Sequence, residues 1–243
     1  MISIGGIMMA VIGIDLGTTN SLAVVYRNGN VELIPNQFHE YLTPSVVSLD
    51  HNELIVGKIA KERLVTDPEH TTYLFKRKMG KSEKTQLGIK SYLPEELSAC
   101  VVKQLIEDAQ NYLDEKVDEV VISVPAYFDA TQRRATKAIG EILGVKVNRL
   151  INEPSAAAIA CHQSDDFETF VVFDFGGGTL DVSVVDCFEN VVSINAIAGN
   201  NQLGGSDFDK AIAYCFCQQN DIDFVSLSKE EQRSLLLCSE RVK

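Results

Sequence analysis

Three glycines flanked by aspartates, in the stretch Phe173-Asp174-Phe175-Gly176-Gly177-Gly178-Thr179-Leu180-Asp181, form the segment best suited to chemistry on a charged ligand. Bare glycine backbone tolerates positive φ and lets an anion approach the peptide N–H groups. The two carboxylates would repel a phosphate, but they suit a hydrated divalent cation arriving with one. The flanking runs, Thr169–Phe173 and Val182–Val185, are apolar and β-branched and read as buried strands. Taken alone, the segment also fits a plain hairpin with a glycine-rich turn.

A second copy of the design sits near the start. Val11-Ile12-Gly13-Ile14-Asp15-Leu16-Gly17-Thr18-Thr19-Asn20 leads into Ser21-Leu22-Ala23-Val24-Val25. Aligning Asp15 with Asp174 also aligns Gly17 with Gly176. A turn and a third strand follow each pair: Asn28-Gly29 before Val31–Ile34, and Glu189-Asn190 before Val191–Ile197. Asn-Gly is a strong type I′ hairpin signal. A repeated unit with a phosphate turn in each half implies a ligand clamped between two similar lobes.

This pair of turns resembles the two phosphate-binding motifs of the actin-like ATPase superfamily. The wording G-I-D-L-G-T-T-N-S and F-D-F-G-G-G-T-L-D-V-S is similar to the DnaK-type heat-shock chaperones. Val124-Pro125-Ala126-Tyr127-Phe128, Ile151-Asn152-Glu153-Pro154-Ser155-Ala156-Ala157-Ala158 and Leu203-Gly204-Gly205-Ser206-Asp207-Phe208-Asp209 extend the likeness over nearly the whole chain. Leu33-Ile34-Pro35-Asn36 with Glu40-Tyr41-Leu42-Thr43-Pro44-Ser45 looks most like the bacterial HscC branch. Departures are mild: Asp129 stands where Asn is usual, Ser206 for Glu, Leu180 for Phe, and Cys161-His162 for Tyr-Gly.

The chain has 243 residues with 45% hydrophobic content, enough for one large or two modest globular domains. A formal net charge of −12 argues against nucleic acid and anionic membrane surfaces as partners. It also means that local glycine turns and a metal must overcome an unfavourable field to hold ATP. The uncharged stretch 1–14 lacks a basic n-region, ends in a site residue and is too short to span a membrane. Residues 1–8 read as a leader or added extension, with Met9 an alternative start. Six cysteines without a C-x-x-C pair, and four scattered histidines, imply a reduced cytoplasmic chain without a zinc site.

The elements that must position the turns can be placed in order. Strands are expected at Ser45–Leu49 and Glu53–Gly57, and a helix at Lys58–Val65 stopped by Asp67-Pro68. Thr71–Gly80 contains the basic cluster, Lys76-Arg77-Lys78, which by charge alone reads as a solvated face or as a lysine turned inward. Pro94 opens a helix running to about Asp114, with Leu97, Val101, Leu105 and Ala109 on one stripe. Val120–Val124 is a strand ended by Pro125. Asp129 and Gln132 then form a capping box for a helix that Gly144 closes. Val145–Ile151 precedes a small-residue helix opened by Glu153-Pro154, where Glu153 is either a cap or a cleft residue. Gly204-Gly205 offers another anion site before a helix capped by Ser206, or is an ordinary loop. Ser228-Lys-Glu-Glu231 caps the last helix.

The resemblance implies an α/β fold of two ribonuclease-H-like lobes, each a mixed sheet in which an antiparallel meander feeds parallel strands. Lobe I would cover 9–165 and a partial lobe II 166–243. It implies an ATPase, with ATP/ADP and Mg²⁺ as ligands and K⁺ an additional candidate. Gly17, Thr18, Thr19, Asn20, Gly176, Gly177, Gly178, Thr179, Gly204 and Gly205 would contact nucleotide, while Asp15, Glu153 and Asp174 would hold the hydrated metal. Lys76, the first basic residue of the family's K-R-x-x-G motif, would be the catalytic lysine. Glu153, Asp174, Thr179 and Asp181 would be its partners, with Asp181 a support or proton acceptor. Pro125 and Arg133 would relay nucleotide state, although locally Pro125 could merely end a strand and Arg133 be a surface charge. Implied partners are unfolded client peptides through a further domain, a J-domain co-chaperone and an exchange factor, with neither nucleic acid nor membrane. Small-molecule kinases and filament-forming proteins of the same superfamily are the competing classes. The second repeat is shorter than the first, so the 243-residue chain is expected to bind MgATP weakly and turn over slowly.

Overall fold

A computed structural model describes residues 9–162, 166–189 and 191–243; the reading of residues 1–8 as a leader, and Asn190 of the second hairpin, lie outside them. The first unit opens with β1 (Met9–Asp15), β2 (Asn20–Arg27) and β3 (Asn30–Ile34). Asn28 and Gly29, both at positive φ (52° and 83°), make the β2–β3 turn, as the Asn-Gly signal requires. There follow β4 (Thr43–Pro44), β5 (Val46–Asp50), β6 (Glu53–Val56), α1 (Lys58–Thr66) and β7 (Thr71–Tyr73). A 3₁₀ turn at Phe75–Lys78 precedes the small hairpin β8 (Thr85–Leu87) and β9 (Lys90–Tyr92), which turns at Gly88. Next come α2 (Pro94–Leu113), β10 (Lys116–Val124), α3 (Ala130–Leu143), β11 (Lys146–Asn152) and α4 (Glu153–Cys161). The second unit holds β12 (Glu168–Phe175), β13 (Leu180–Phe188), β14 (Val191–Asn200), α5 (Gly205–Gln219) and α6 (Lys229–Val242).

The main sheet runs β11-β10-β1-β2-β3, with β4 added to β2. β1, β2 and β3 are antiparallel, while β10 pairs parallel with β1 and β11. This is the expected meander feeding parallel strands. α2 covers one face: Leu97, Val101, Leu105 and Ala109 pack on Ile12, Ile14, Ala23 and Val25. The Asp129 side chain accepts from the amides of Thr131 and Gln132 to start α3, and Gly144, at φ 68°, ends it. α1 packs Ala60 and Leu64 on Val46.

The second sheet, β12-β13-β14, is an antiparallel meander among the described residues. α4 covers one of its faces, where Ala158 packs on Val185 and Cys187. The expectation that both strands flanking the glycines are fully buried is corrected for β12. Val171 and Phe173 are 70% and 66% exposed, on the face opposite α4. Their equivalents in the first unit, Ile12 and Ile14, are sealed beneath α2. The strand is apolar because the sheet alternates, and among the described residues its second face is met only at its end, where Phe208 of α5 packs edge-on to Phe175. α5 packs on α6, and α6 reaches α1, where Lys61 pairs with Glu240 at 2.9 Å. Ser206 is not the cap of α5. Gly204 takes that position, and the Asp207 carboxylate accepts from its N–H at 2.9 Å. No helix in the described residues is long and apolar enough to cross a membrane.

The two repeats set up a direct comparison. Ile14→Ala should cost about 2–5 kcal/mol by emptying a sealed position. Phe173→Ala, at the equivalent exposed position, should cost less than about 1 kcal/mol in this 243-residue chain. Urea titration of both variants checks this, and equal losses would show that the second face is covered.

Candidate functional site

Asp15 ends β1, and the chain turns at once through Gly17. A Cβ there would collide with the Asn20 carbonyl, so the turn demands glycine. Two buried serines hold it. Ser45 Oγ donates to the Gly17 carbonyl at 2.8 Å, lies 2.9 Å from Ser21 Oγ, and Ser21 Oγ accepts from the Gly17 N–H. The β12–β13 turn faces it so closely that a Cβ at Gly177 would strike Thr19, and one at Gly178 would strike Thr18. The two loops expected to hold phosphate are therefore brought together, glycine against threonine.

All three glycine carbonyls of this second turn are captured from outside it. Gly205 N–H donates to Gly176 O at 3.0 Å, Ser206 N–H to Gly177 O at 2.9 Å, and Arg77 Nε–H to Gly178 O at 2.8 Å. Within one peptide plane the carbonyl and the next N–H point in opposite directions. The amides of Gly177, Gly178 and Thr179 therefore face away from α5, and none donates a hydrogen bond among the described residues. Three unused amides on a fixed turn are the kind of donor set that suits an anion. The anion-site reading of Gly204 and Gly205 is corrected for this structure. Gly204 is buried, its N–H goes to Asp207, and the Gly205 N–H goes to the turn. The unfilled donors at the start of α5 are spent on carbonyls.

Lys76 turns inward. It is 7% exposed, its Nζ donates to Glu153 Oε1 at 3.1 Å, and it lies over the Phe128 ring. Glu153 is the first residue of α4, at its positive end, but it caps no amide there: Asn152 holds the cap position, and the Glu153 carboxylate turns to Lys76. Asp15 accepts from Ser123 Oγ at 2.6 Å. Burial raises the Glu153 carboxyl against the pull of Lys76, and Asp15 and Asp174 add to the rise. Burial and then Asp15 raise Asp174. Asp181, paired across the strands with Asp174, is pushed up to about 6 by burial and then by Glu153. Both its carboxylate oxygens are buried without a hydrogen-bond partner among the described residues.

Asp15, Glu153, Asp174 and Asp181 around one lysine leave the site short of positive charge. A divalent cation fits that deficit. Among the described residues no three such groups converge as a ready-made metal shell. An open cleft of about 70 Å³ adjoins the first turn, lined by Asn20, Ser45, Tyr73, Ser206, Arg233 and Glu240 among others.

The two relay candidates adjoin this site. Pro125 follows β10 and lines a small pocket with Thr18, Lys76, Tyr127 and Thr179. Arg133 is no surface charge: it donates to the carbonyls of Phe128 and Ala126 and to Asn152 Oδ1, one residue before Glu153. Sequence reasoning passed over Ser21, Ser45, Ser123, Arg77 and Asp207. Each acts through a partner distant in sequence; Ser21, Ser45, Arg77 and Asp207 stand in motifs already quoted, but the motifs do not name those partners.

A meander repeated in two units, each presenting a glycine turn and a strand-end aspartate to a shared cleft, defines a nucleotide-binding fold of the actin-like ATPase class. A family model described as Hsp70 protein matches residues 11–90 and 83–243, in overlapping segments that together cover nearly the whole chain. The chain belongs to the Hsp70 family. It is a nucleotide-binding ATPase region of that chaperone family, whose members bind ATP and ADP with Mg²⁺.

Ser45→Ala would strand the Gly17 carbonyl and the Ser21 hydroxyl, and should cost about 1–3 kcal/mol. Adding Ser21→Ala should cost much less than it does alone, because the pair acts as one unit. Thermal or urea melts of the single and double variants check this, and additive losses would refute the pairing.

Proposed function

We propose that this chain binds MgATP between its two turns and hydrolyses it, with Lys76 as the catalytic lysine. The observation that carries the reading is Lys76 Nζ held on Glu153, 3.1 Å away, while the amides of the Gly177–Thr179 turn are left unused. The Gly177, Gly178 and Thr179 amides, with Thr18 and Thr19, bind the phosphates, and Gly17 and Asn20 shape the first turn. Asp15, Asp174 and Glu153 orient the waters of Mg²⁺, and K⁺ is a further candidate for the same acidic site. The bound cation supplies charge neutralisation at the phosphates.

Hydrolysis needs mainly positioning and charge stabilisation. A water oxygen forms a bond to the γ-phosphorus as the bond to the bridging β–γ oxygen breaks, giving ADP and inorganic phosphate. Lys76 stabilises the charge on the γ-phosphoryl oxygens and orients that water. The water's proton passes to a carboxylate, and Asp181, unpartnered and with its affinity for protons raised, is the candidate acceptor. Arg133 relays the state of this site through Asn152, the neighbour of Glu153, and Pro125 does so from the wall of the pocket beside Lys76.

Lobes of 9–165 and 166–243, an HscC-like relative, a cytoplasmic location, client peptides held by a further domain, a J-domain partner and an exchange factor complete the reading. Its support is the family membership together with the matching residues. In the full-length protein, Lys76→Ala should slow single-turnover hydrolysis by about 10²–10³ while nucleotide binding persists. Hydrolysis within a few-fold of the parent would remove Lys76 from the mechanism. Arg133→Ala should leave basal ATPase near the parent value but lose peptide stimulation and ATP-induced peptide release. Coupling at parental strength would rule out the relay.

A further inference from the structure

The 3₁₀ turn Phe75–Lys78 sends two consecutive cations in opposite directions. Lys76 enters the first unit and meets Glu153, while Arg77 crosses to the second unit. The Arg77 side chain is only 10% exposed. Its Nε–H donates to Gly178 O at 2.8 Å, and its two terminal nitrogens donate to Asp207 Oδ1 and Oδ2 at 3.2 and 2.5 Å. The planar guanidinium fork fits such a two-point carboxylate contact, which a lysine cannot reproduce. Asp207 is itself anchored, because it accepts from the Gly204 N–H at the start of α5.

The Gly178 carbonyl belongs to the same peptide plane as the Thr179 N–H, so the bond from Arg77 sets where that N–H points. The α5 amides fix the two preceding planes, but the described structure offers the Gly178–Thr179 plane no other tie than Arg77. Its orientation therefore depends on a side chain, where that of the other two depends on helix backbone. We propose that Arg77 is a positioning residue that locks the Gly178–Thr179 peptide plane and sets the spacing between its N–H and Lys76. The proposal rests on the reading that this turn receives phosphate. Because Lys76 and Arg77 are neighbours in one short turn, the lysine and the amide it must work with are held in register by a single piece of backbone.

The test uses the full-length protein and two readouts. Arg77→Ala should lower single-turnover ATP hydrolysis by about 10²-fold, the scale of a misplaced reacting group, and lower the melting temperature by leaving Asp207 and the Gly178 carbonyl without their partner, while MgADP affinity changes little. Arg77→Lys, which keeps the charge but not the fork, should recover only a minor part of the rate. Hydrogen exchange across residues 176–180 in the nucleotide-free protein should quicken in Arg77→Ala. Hydrolysis within a few-fold of the parent with unchanged exchange would overturn the proposal. So would a parallel loss of rate and MgADP affinity, which marks general damage to the site. Should Arg77→Ala fail to fold, Asp207→Asn keeps the acceptor at the helix start while weakening the ion pair. It should show the same split between rate and affinity in smaller measure, and no split would overturn the proposal. A parent protein that binds no nucleotide would refute the ATP reading instead, leaving hydrogen exchange to decide the role of Arg77.

Discussion

A glycine turn binds an anion only if its amides are held outward, and glycine does nothing by itself to hold them. Here the restraint is applied from behind. The carbonyls of Gly176 and Gly177 take the first amides of α5, and the carbonyl of Gly178 takes Arg77. Each captured carbonyl turns the following N–H toward the cleft. The flexibility that permits the turn is thus removed by its neighbours. The start of α5, a natural anion site by its free donors, serves here as a buttress for a different one.

The first turn is held by other means. Ser21 and Ser45 bind both the N–H and the carbonyl of Gly17, and the Ser45 amide donates to the Thr19 carbonyl. Between the two turns, Lys76 faces a surplus of carboxylates. That surplus is unfavourable without a ligand, since burial and mutual repulsion raise the proton affinity of Glu153, Asp174 and Asp181 alike. The arrangement is suited to an incoming cation carrying phosphates, which would relieve the repulsion and share the lysine.

Much of this was legible in the sequence, for a physical reason. Strand-end aspartates, glycine runs, the Asn28-Gly29 turn and the Asp129 and Ser228 caps are local signals whose chemistry lies within a few residues. The duplication was legible too, because Asp15 and Asp174 align with their glycines. What escaped depends on contacts distant in sequence. Nothing near Ser45 announces Gly17, and the charge of Arg77 says nothing of Gly178, a hundred residues on. Ser206 looked like a cap because its type suits one. The Gly204 backbone reached the capping geometry first, and Asp207 supplied the acceptor. The exposed face of β12 escaped because alternation cannot tell which face a helix will cover.

That last difference explains why the second turn needs so many outside ties. In the first unit the strands leading into the turn are clamped on a deep core, with Ile12 and Ile14 sealed beneath α2. In the second unit the matching strand leaves Val171 and Phe173 exposed, and among the described residues the meander is packed by α4 on one face and touched on the other only by Phe208 of α5 at Phe175. A sheet held on one face is a poor foundation for a turn whose amides must stay in place to a fraction of an ångström. The missing stiffness comes from connections that bypass the sheet: α5 abutting the glycine carbonyls, and Arg77 reaching across from the first unit. The glycine turn of the second unit is therefore referenced to the segment carrying Lys76 as well as to its own strands. Any change that parts the two units must strain the Arg77–Asp207 contact before it moves the lysine away from the turn.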